Sequence, residues 1–307
     1  MNIKLHQSSL NISNAIYINR NIVEILQNIL DKLGVMYRIF SRVKSQNSFS
    51  SKMSSGKYAP HSKMIQDIIG IRITLYFSDD IEVVSSVLQN SFKCRTDSTS
   101  IDNLSSNTFE AIRHNYVFDI PSDISNEALD TNNYCDNTFE VQLRTILSEG
   151  WHEIDHDFRY KNSEHWCQPE QKKFDRQLNG LVATLETADW GMLQLFNELA
   201  YKNYKDKCWN EMIRHKFRIK LSNEVLGEDL INLLNNDNDL SKKIYRISRS
   251  KLIMDMHVTK LSIPLNSTNI IYIINSFYLD NEDINHLCSK NFFINSKILE
   301  SKHLLAK

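Results

Sequence analysis

Residues 139–144 alternate strictly between apolar and polar side chains. Successive side chains of a strand point to opposite faces, so this pattern predicts a strand that buries one face. The buried face would carry Phe139, Val141 and Leu143. The opposite face would align a carboxylate, an amide and a guanidinium, which belong to Glu140, Gln142 and Arg144. Such a row of side chains suits a nucleotide and its metal ion better than a peptide.

Residues 71–77 alternate in the same way and predict a second strand, with arginine at position 72 on its polar face. Shorter strands are predicted near residues 92–96 and 115–120. Asp79 and Asp80 can cap a helix that runs to about residue 90. A further helix is predicted from about residue 146 to residue 161, directly after the first strand.

Two longer segments repeat apolar residues every three or four positions, which predicts amphipathic helices. In residues 14–40 Gly34 is the expected stop, and the apolar stripe comprises Ile16, Ile18, Ile22, Ile25, Leu26, Ile29 and Leu33. In residues 174–199 a heptad-like seam comprises Phe174, Leu178, Leu181, Leu185, Ala188, Met192, Leu195 and Leu199. We expect this seam to pack on the sheet of the same chain, and a two-chain coil is the alternative.

The order of these elements predicts an α/β (α+β) fold, with a mixed β-sheet flanked by helices. After residue 205 the composition changes to a basic stretch made of Lys205, Lys207, Arg214, Lys216, Arg218 and Lys220. Short helix-like segments without a chemical motif follow. We therefore predict two domains, residues 1–205 with the sheet and residues 206–307 as a mostly helical extension of unknown role.

Composition narrows the class of protein further. A net charge of −1 excludes a global basic field for nucleic acid, and few glycines and prolines (7 and 4) favour helices over a turn-rich β fold. The N-terminus lacks an apolar signal core, and no apolar run approaches a membrane span. The 5 cysteines have no C-x-x-C spacing. We therefore expect a cytoplasmic protein with reduced thiols and no membrane partner.

A polar, serine-rich segment holds the first candidate for anion binding. The chain has no G-x-x-x-x-G-K-[ST] loop, so side chains would have to cradle a triphosphate. Arg42, Lys44, Ser48 and Lys52 follow one another at spacings of two, four and four. A turn leading into a helix would bring these donors to one anionic group, although solvated loop residues are the ordinary explanation of such a pattern.

Four sequence blocks occur in one order: R-x-K-x-x-x-S-x-x-x-K from Arg42, D-x-x-G-x-R-I from Asp67, E-x-Q-x-R-T from Glu140, and W-x-x-x-x-H-x-x-x-Y-K from Trp151. Together they resemble the synthetase domain of the RelA/SpoT family, which makes the alarmones (p)ppGpp, over about residues 20–200. No H-D hydrolase motif precedes them. The chain is thus most similar to the small single-function synthetases or to the toxic members of that group.

The resemblance implies a nucleotidyltransferase-like fold that moves the β,γ-pyrophosphate of ATP to a ribose 3′-hydroxyl, with Mg²⁺ as cofactor. It implies that Arg42 and Arg72 sandwich the adenine, and that Lys44, Ser48 and Lys52 hold the phosphates. It implies that Asp67, Arg72 and Glu140 are the catalytic residues. Asp67 and Glu140 would bind the metal, and Glu140 would also orient or deprotonate the attacking hydroxyl. The acceptor is assigned Gln142, Arg144, His156 and Lys161.

The acceptor loop departs from the family pattern G-Y-R-S-[IL]-H. The corresponding residues read T-F-E-A-I-R-H, so Phe109 keeps an aromatic face, Glu110 inverts a charge, and Arg113 or His114 stands where histidine is expected. GDP or GTP is the default acceptor. An adenosine nucleotide or the 3′ end of tRNA, as in toxic relatives, is the alternative, and the basic stretch keeps RNA open.

Two other functions compete with this interpretation. His152, Glu153 and His156 spell H-E-x-x-H, the motif of zinc hydrolases, with Glu170 or Glu186 as a third ligand. The charged residue between Glu153 and His156 argues against that motif. A catalytically degenerate synthetase fold used for binding is the other alternative. A homo-oligomer or an antitoxin-type partner stays open, as does the choice between a housekeeping enzyme and a toxin.

Overall fold

The computed structural model describes residues 9–60, 62–102, 109, 113–125, 127–161, 166–167 and 169–288. The chain divides into two compact units. Unit 1 is drawn from Met1–Gln27, Tyr37–Leu75 and Leu88–Glu186, and unit 2 from Asn28–Met36, Tyr76–Val87 and Thr187–Lys307. Unit 2 therefore takes two short segments from the N-terminal half of the chain, in addition to the helices that follow residue 187.

The described residues confirm the predicted mixed sheet. Its five strands lie in unit 1 and are β1 Tyr37–Val43, β2 Ile69–Leu75, β3 Ser100–Ile101, β4 His114–Asp119 and β5 Thr138–Thr145. Their order across the sheet is β1-β2-β5-β4-β3. The central pair β2 and β5 is parallel, whereas every other neighbouring pair is antiparallel.

The helices of the described residues confirm the predicted flanking helices and the mostly helical C-terminal extension. They are α1 Ile12–Leu33, α2 Gln46–Ser54, α3 Asp80–Ser91, α4 Ile146–Asp155, α5 Pro169–Lys172, α6 Asp175–Lys205, α7 Trp209–Phe217, α8 Glu228–Asn236, α9 Asn238–Arg246, α10 Arg249–Val258, α11 Ser267–Ile274 and α12 Glu282–Leu287. A 3₁₀ turn spans Thr96–Ser98, and π-helical turns span His156–Tyr160 and Asn275–Leu279. None of the described helices is both long enough and apolar enough to cross a membrane.

Alternation decides which face of the sheet is buried. On β5 the buried apolar side chains are Phe139, Val141 and Leu143, as predicted. Phe139 packs edge-on against Phe92 with ring centroids 5.3 Å apart. Each such aromatic ring buries a large apolar area, which stabilises this layer of unit 1. The polar side chains of the same strands are thereby fixed on the other face.

Three element boundaries differ from the predictions. The helix predicted over residues 14–40 ends at Leu33, because Gly34 adopts a left-handed φ of +66°, and residues 37–40 belong to β1. No strand forms over residues 92–96, where Cys94 makes a single bridge to Phe118. The helix predicted to residue 161 stops at Asp155 and continues as a π-helical turn.

The predicted helix over residues 174–199 is confirmed as α6, yet its apolar seam is only partly covered. The eight seam residues are half-buried or exposed, and the fully buried positions of α6 are Asp189 and Ala200. Heptad spacing therefore identified the helix but not its most buried face.

Candidate active site

The strand register aligns functional side chains in two rows across the polar face of the sheet. The first row consists of Arg42, Gly70, Glu140 and Val117. The second row consists of Phe40, Arg72, Gln142 and Asn115. Directly opposed residues share a face of a sheet, so the pairing of β1, β2, β5 and β4 assembles a site from distant segments of the chain.

Gly70 leaves room for the side chain of Arg42. A Cβ atom at position 70 would lie 3.9 Å from Cγ and 4.0 Å from Nε of Arg42, which is ordinary contact distance. Any longer side chain at position 70 would push into the space that Arg42 occupies. The glycine of the D-x-x-G-x-R block thus leaves space on β2 for the side chain of Arg42, which comes from the edge strand β1.

Two lysines converge on Asp67. Nζ of Lys52 donates to Oδ1 and Oδ2 of Asp67 at 2.8 and 2.7 Å, and Nζ of Lys44 lies 3.1 Å from Oδ2. Burial acts to raise the pKa of Asp67, but the Lys52 hydrogen bond and the Lys44 charge outweigh it and lower that pKa. The side chain of Ser45 caps α2 by accepting from the backbone N–H of Ser48, which fixes the helix that carries Lys52.

The pKa of Glu140 is shifted in the opposite direction from that of Asp67. Burial and the negative charge of Asp67 raise the pKa of Glu140, although a hydrogen bond from Gln142 acts against them. Nδ2 of Asn115 and Nε2 of Gln142 each donate to Glu140 at 3.3 Å. The geometry therefore holds a carboxylate near a second one that is already ionised.

This pair of carboxylates fits a magnesium ion. Mg²⁺ in nucleotide enzymes is held by one or two carboxylates together with substrate phosphates and water. Burial first and the charge of Asp67 second raise the pKa of Glu140, and the charge of a divalent cation beside both carboxylates would act against both causes. Across the described part of the chain, no group of three or more His, Cys, Asp and Glu side chains could hold a metal by itself. Asp67 and Glu140 would therefore need phosphate oxygens to complete the coordination.

Arg72 is clamped by acidic residues of α4. Its Nη1 donates to Oε1 of Glu149 at 2.6 Å and also contacts Glu153, while its Nε donates to Gln142 at 3.3 Å. Glu149 and Glu153 are four residues apart and so lie on one face of the helix. A capping box between Thr145 and Ser148 fixes the start of α4 directly after β5.

Arg144 lies in the same charged group but is more buried. Its Nε lies 3.6 Å from Oε2 of Glu149. Burial and the neighbouring positive charge of Arg72 lower the pKa of Arg144 to about 10. Glu149 therefore stands between two guanidinium groups and joins β2 to β5 through α4.

His156 and Lys161 are both exposed on the π-helical turn and share Asp157 as a partner. Nδ1 of His156 lies 3.1 Å from Oδ1 of Asp157, and Nζ of Lys161 lies 2.5 Å from the same oxygen. The predicted site residues Arg144, His156 and Lys161 thus divide into two groups, with Arg144 in the sheet and the other two around Asp157.

The geometry also weakens the zinc-hydrolase alternative. A zinc motif needs both histidines on one regular helical face, but α4 ends at Asp155 and His156 begins the π-helical turn. Glu153, which would activate water in such an enzyme, contacts Arg72 instead. Within the H-E-x-x-H string, Glu153 is therefore engaged in an ion pair, and His156 lies in the π-helical turn.

Most of the predicted acceptor loop, including Glu110, lies outside the described residues. Phe109 is described and 41% exposed. Arg113 forms an ion pair with Asp102, in which Nη2 lies 2.8 Å from Oδ1 and the backbone N–H donates to Oδ2 at 3.0 Å. Burial lowers the pKa of His114, although the nearby Asp102 acts against it.

A cavity of about 670 Å³ in unit 1 connects several of these residues, including Lys52, Asp67 and Glu140. Its lining also includes Tyr58, Asp97 and Asp136, which the sequence motifs had not singled out. Asp102 and Glu149 were also missed from sequence, and Glu153 was singled out only as part of the H-E-x-x-H string. The i, i+4 spacing of the two glutamates was visible, but their common partner lies 77 and 81 residues away. That separation hides the contact from any local pattern.

A family model described as the region found in RelA / SpoT proteins matches residues 41–165. Residues 41–165 of the chain are thus similar to this RelA/SpoT region. The matched residues include every site residue of β1, α2, β2 and β5 from Arg42 to Arg144, and also His156 and Lys161. The matched region thus contains both the lysine–aspartate cluster and Glu140.

Solved structures that are similar to the chain include small alarmone synthetases and a GTP pyrophosphokinase family protein. Small alarmone synthetase 2 from Bacillus subtilis is 22% identical, with a TM-score of 0.45 over 61% of this chain and 98% of that chain. Small alarmone synthetase 1 from Bacillus subtilis, bound to its product pppGpp, is 22% identical, with a TM-score of 0.44 over 60% and 95%. The GTP pyrophosphokinase family protein from Streptococcus pneumoniae is 18% identical, with a TM-score of 0.41 over 62% and 92%. No curated protein matches the chain. The similarity to RelA/SpoT proteins rests on the matched region and not on these distant structural likenesses.

Proposed function

We propose that the RelA/SpoT domain is an ATP-dependent pyrophosphokinase whose default acceptor is GDP or GTP. In this reaction the 3′-hydroxyl oxygen of the acceptor bonds to the β-phosphorus of ATP. The bond between that phosphorus and the oxygen it shares with the α-phosphorus breaks, and AMP leaves. The acceptor hydroxyl gives its proton to a general base, for which Glu140 is our candidate.

One observation carries this proposal: Glu140 and the lysine-bound Asp67 line the same cavity with opposite pKa shifts. A general base works best when its pKa lies closer to neutrality than that of a solvated carboxylate. Asp67 stays ionised and supplies fixed negative charge for a metal. When bound, Mg²⁺ would neutralise phosphate charge as the β-phosphorus is attacked.

The donor residues surround this pair on the β1 and α2 side. Lys52 and Lys44 keep part of their surface in water while contacting Asp67, so phosphate oxygens can approach the same ammonium groups. Ser48 lies in the first turn of α2, where backbone N–H groups favour anions. Arg42 and Arg72 offer planar guanidinium faces to the adenine.

The acceptor side is assigned Phe109, Arg113 and His114, together with Gln142, Arg144, His156 and Lys161. The guanidinium of Arg113 is paired with Asp102. This contact supports an acceptor site that differs from the family pattern.

An RNA acceptor receives less support from the basic stretch than its composition suggested. Lys207 donates to the carbonyl of Asn235 and Arg214 to the carbonyl of Ser222, while Arg218 contacts Asp79. Three of the six basic side chains therefore make polar contacts inside unit 2, and a fourth, Lys216, lies over the Tyr245 ring. We keep GDP or GTP ahead of tRNA for this reason.

A label-transfer experiment tests the proposed function. The purified full-length chain is incubated with ATP labelled in the γ-phosphate, Mg²⁺, and either GDP, GTP, ATP or tRNA. We expect label to appear on GDP or GTP, with one AMP released for each acceptor modified. Label on tRNA would keep the pyrophosphokinase and change its acceptor. Release of ADP and labelled phosphate, or no transfer to any acceptor, would contradict the proposal.

A further inference from the structure

Phe40 is an exposed aromatic residue in the middle of the edge strand β1. Its side chain is 55% exposed, although phenylalanine on the open face of an edge strand gains little from packing. Phe40 lies directly opposite Arg72 in the antiparallel pair, so the two side chains share the polar face of the sheet. The phenyl ring is thus placed beside a residue of the candidate site.

Two exposed arginines lie on either side of this ring. Arg38 and Arg42 are two residues before and after Phe40, and period two places all three on one face. Alternating cationic and aromatic side chains form surfaces on which nucleobases stack, because every base has a π face and guanidinium groups add cation–π attraction.

The hydrogen bonds of Arg72 are made by the edge of its guanidinium group. Glu149, Glu153 and Gln142 accept hydrogen bonds from N–H groups of Arg72, and these bonds lie at the edge of the planar guanidinium. A planar group held by its edge can still stack on a ring. Phe40 and Arg72 therefore provide two adjacent flat surfaces at one end of the donor site.

We propose that Phe40 is a base-stacking residue that binds the purine ring of the nucleoside triphosphate donor. This proposal rests on the proposed function, because it assumes that the donor lies along β1 and β2 with its phosphates toward Lys44 and Lys52. The phenyl ring contributes to base binding and not to the reacting phosphates. It should therefore affect donor affinity and leave the transfer step itself unchanged.

Binding of two ligands by the full-length chain tests the proposal. The first is α,β-methylene ATP, which keeps the base and resists transfer, and the second is ribose 5-triphosphate, which lacks the base. Loss of one stacking contact corresponds to about 1–3 kcal/mol, or roughly 5- to 150-fold in affinity. We expect Phe40→Ala and Phe40→Leu to weaken binding of the ATP analogue by that factor, while ribose 5-triphosphate binds with unchanged affinity.

Conservative variants separate stacking from general apolar contact. Phe40→Tyr and Phe40→Trp keep a π face and should bind the ATP analogue within about twofold of the unaltered chain. Val225→Ala, which shortens another exposed apolar side chain, should change neither affinity. Melting temperatures of all Phe40 variants should match that of the unaltered chain, since the ring is largely exposed.

Three results would overturn the proposal. Phe40→Ala or Phe40→Leu could bind the ATP analogue as tightly as the unaltered chain, Phe40→Ala could lose both ligands equally, or the unaltered chain could fail to bind the ATP analogue. Failure of the proposed function is a separate result. If no acceptor is labelled but base-dependent binding still requires Phe40, the base site stands without the transferase.

Discussion

One ion pair of unit 1 and one of unit 2 differ widely in the exposure of their side chains. In unit 1, the side chains of Lys52 and Asp67 are 32% and 30% exposed and line a cavity. In unit 2, the side chains of Arg249 and Asp80 are 5% and 0% exposed. Exposed charges can exchange one partner for another at little cost, whereas a buried charge that loses its partner is strongly destabilising. Exposure therefore separates charges available for binding from charges that hold the fold.

The buried Arg249 of unit 2 also donates hydrogen bonds to backbone carbonyls at the end of α7. Nε of Arg249 donates to the carbonyl of Phe217 at 2.6 Å, and Nη2 donates to that of Arg218 at 3.3 Å. Arg218 itself adopts a left-handed φ of 42° and contacts Asp79. These carbonyls follow the end of a helix and would otherwise lack partners. Arg249 thus connects α10 to the end of α7 and to the start of α3.

The largest effect is expected from removing the buried arginine. Arg249→Ala should lower the free energy of unfolding by about 3–5 kcal/mol, because Asp80 is left buried without its partner. Chemical denaturation followed by circular dichroism measures this change. The control is Lys243→Ala, which breaks the exposed pair with Asp239 and should leave stability unchanged. Equal effects of the two substitutions would mean that burial does not distinguish them.

The same variant has a predicted pH dependence. Burial raises the pKa of Asp80, although Arg249 acts against it. A carboxyl whose pKa is raised by folding contributes stability that is present below its unfolded pKa and lost as pH rises through its folded pKa. Removing Arg249 raises that pKa further. The stability lost in Arg249→Ala should therefore be greatest at neutral pH and shrink in acid, where Asp80 is protonated in both proteins.

A smaller effect is expected at the acceptor side of unit 1. Phe109→Ala should weaken use of the acceptor by about 1–3 kcal/mol if its ring stacks on a purine. Phe109→Tyr should be nearly neutral because it keeps the ring. The measurement is the acceptor KM beside the donor KM, with melting temperature as control. A destabilised alanine variant with unchanged acceptor KM would show that Phe109 supports the fold instead.

The smallest effect is expected from one of the two acidic partners of Arg72. Glu153 is exposed and Glu149 remains, so Glu153→Gln should cost at most about 1 kcal/mol of donor binding. We expect a modest rise in the KM for ATP with the melting temperature unchanged. A large fall in stability would show that the contact between Arg72 and Glu153 stabilises the fold, as the buried ion pairs of unit 2 do.

Sequence predicted best what depends on neighbouring residues. The alternation of β2 and β5 identified both strands and their polar faces, since period two is set by the backbone itself. Gly34 was recognised as a helix stop, yet the strand after it was missed because β1 is defined by pairing with β2. The two-residue β3 is likewise defined by its pairing with β4.

The candidate site shows the same difference between features set by nearby residues and contacts between distant segments. Spacing within the RelA/SpoT blocks selected Lys52, Asp67 and Glu140, and the structure places all three on one cavity. The clamp on Arg72 and the Asp102 partner of Arg113 were missed, because each joins separate elements. A local pattern shows which face a side chain occupies, but its partner depends on the tertiary fold.

The most direct test of the account is the transfer rate of Glu140→Gln. Glutamine keeps the shape of the side chain but removes the charge that would hold metal and accept the hydroxyl proton. We expect transfer of label from ATP to fall by about a hundredfold or more, with the melting temperature at least as high as in the unaltered chain. Transfer at nearly the unaltered rate would contradict the assignment of this strand as the catalytic centre.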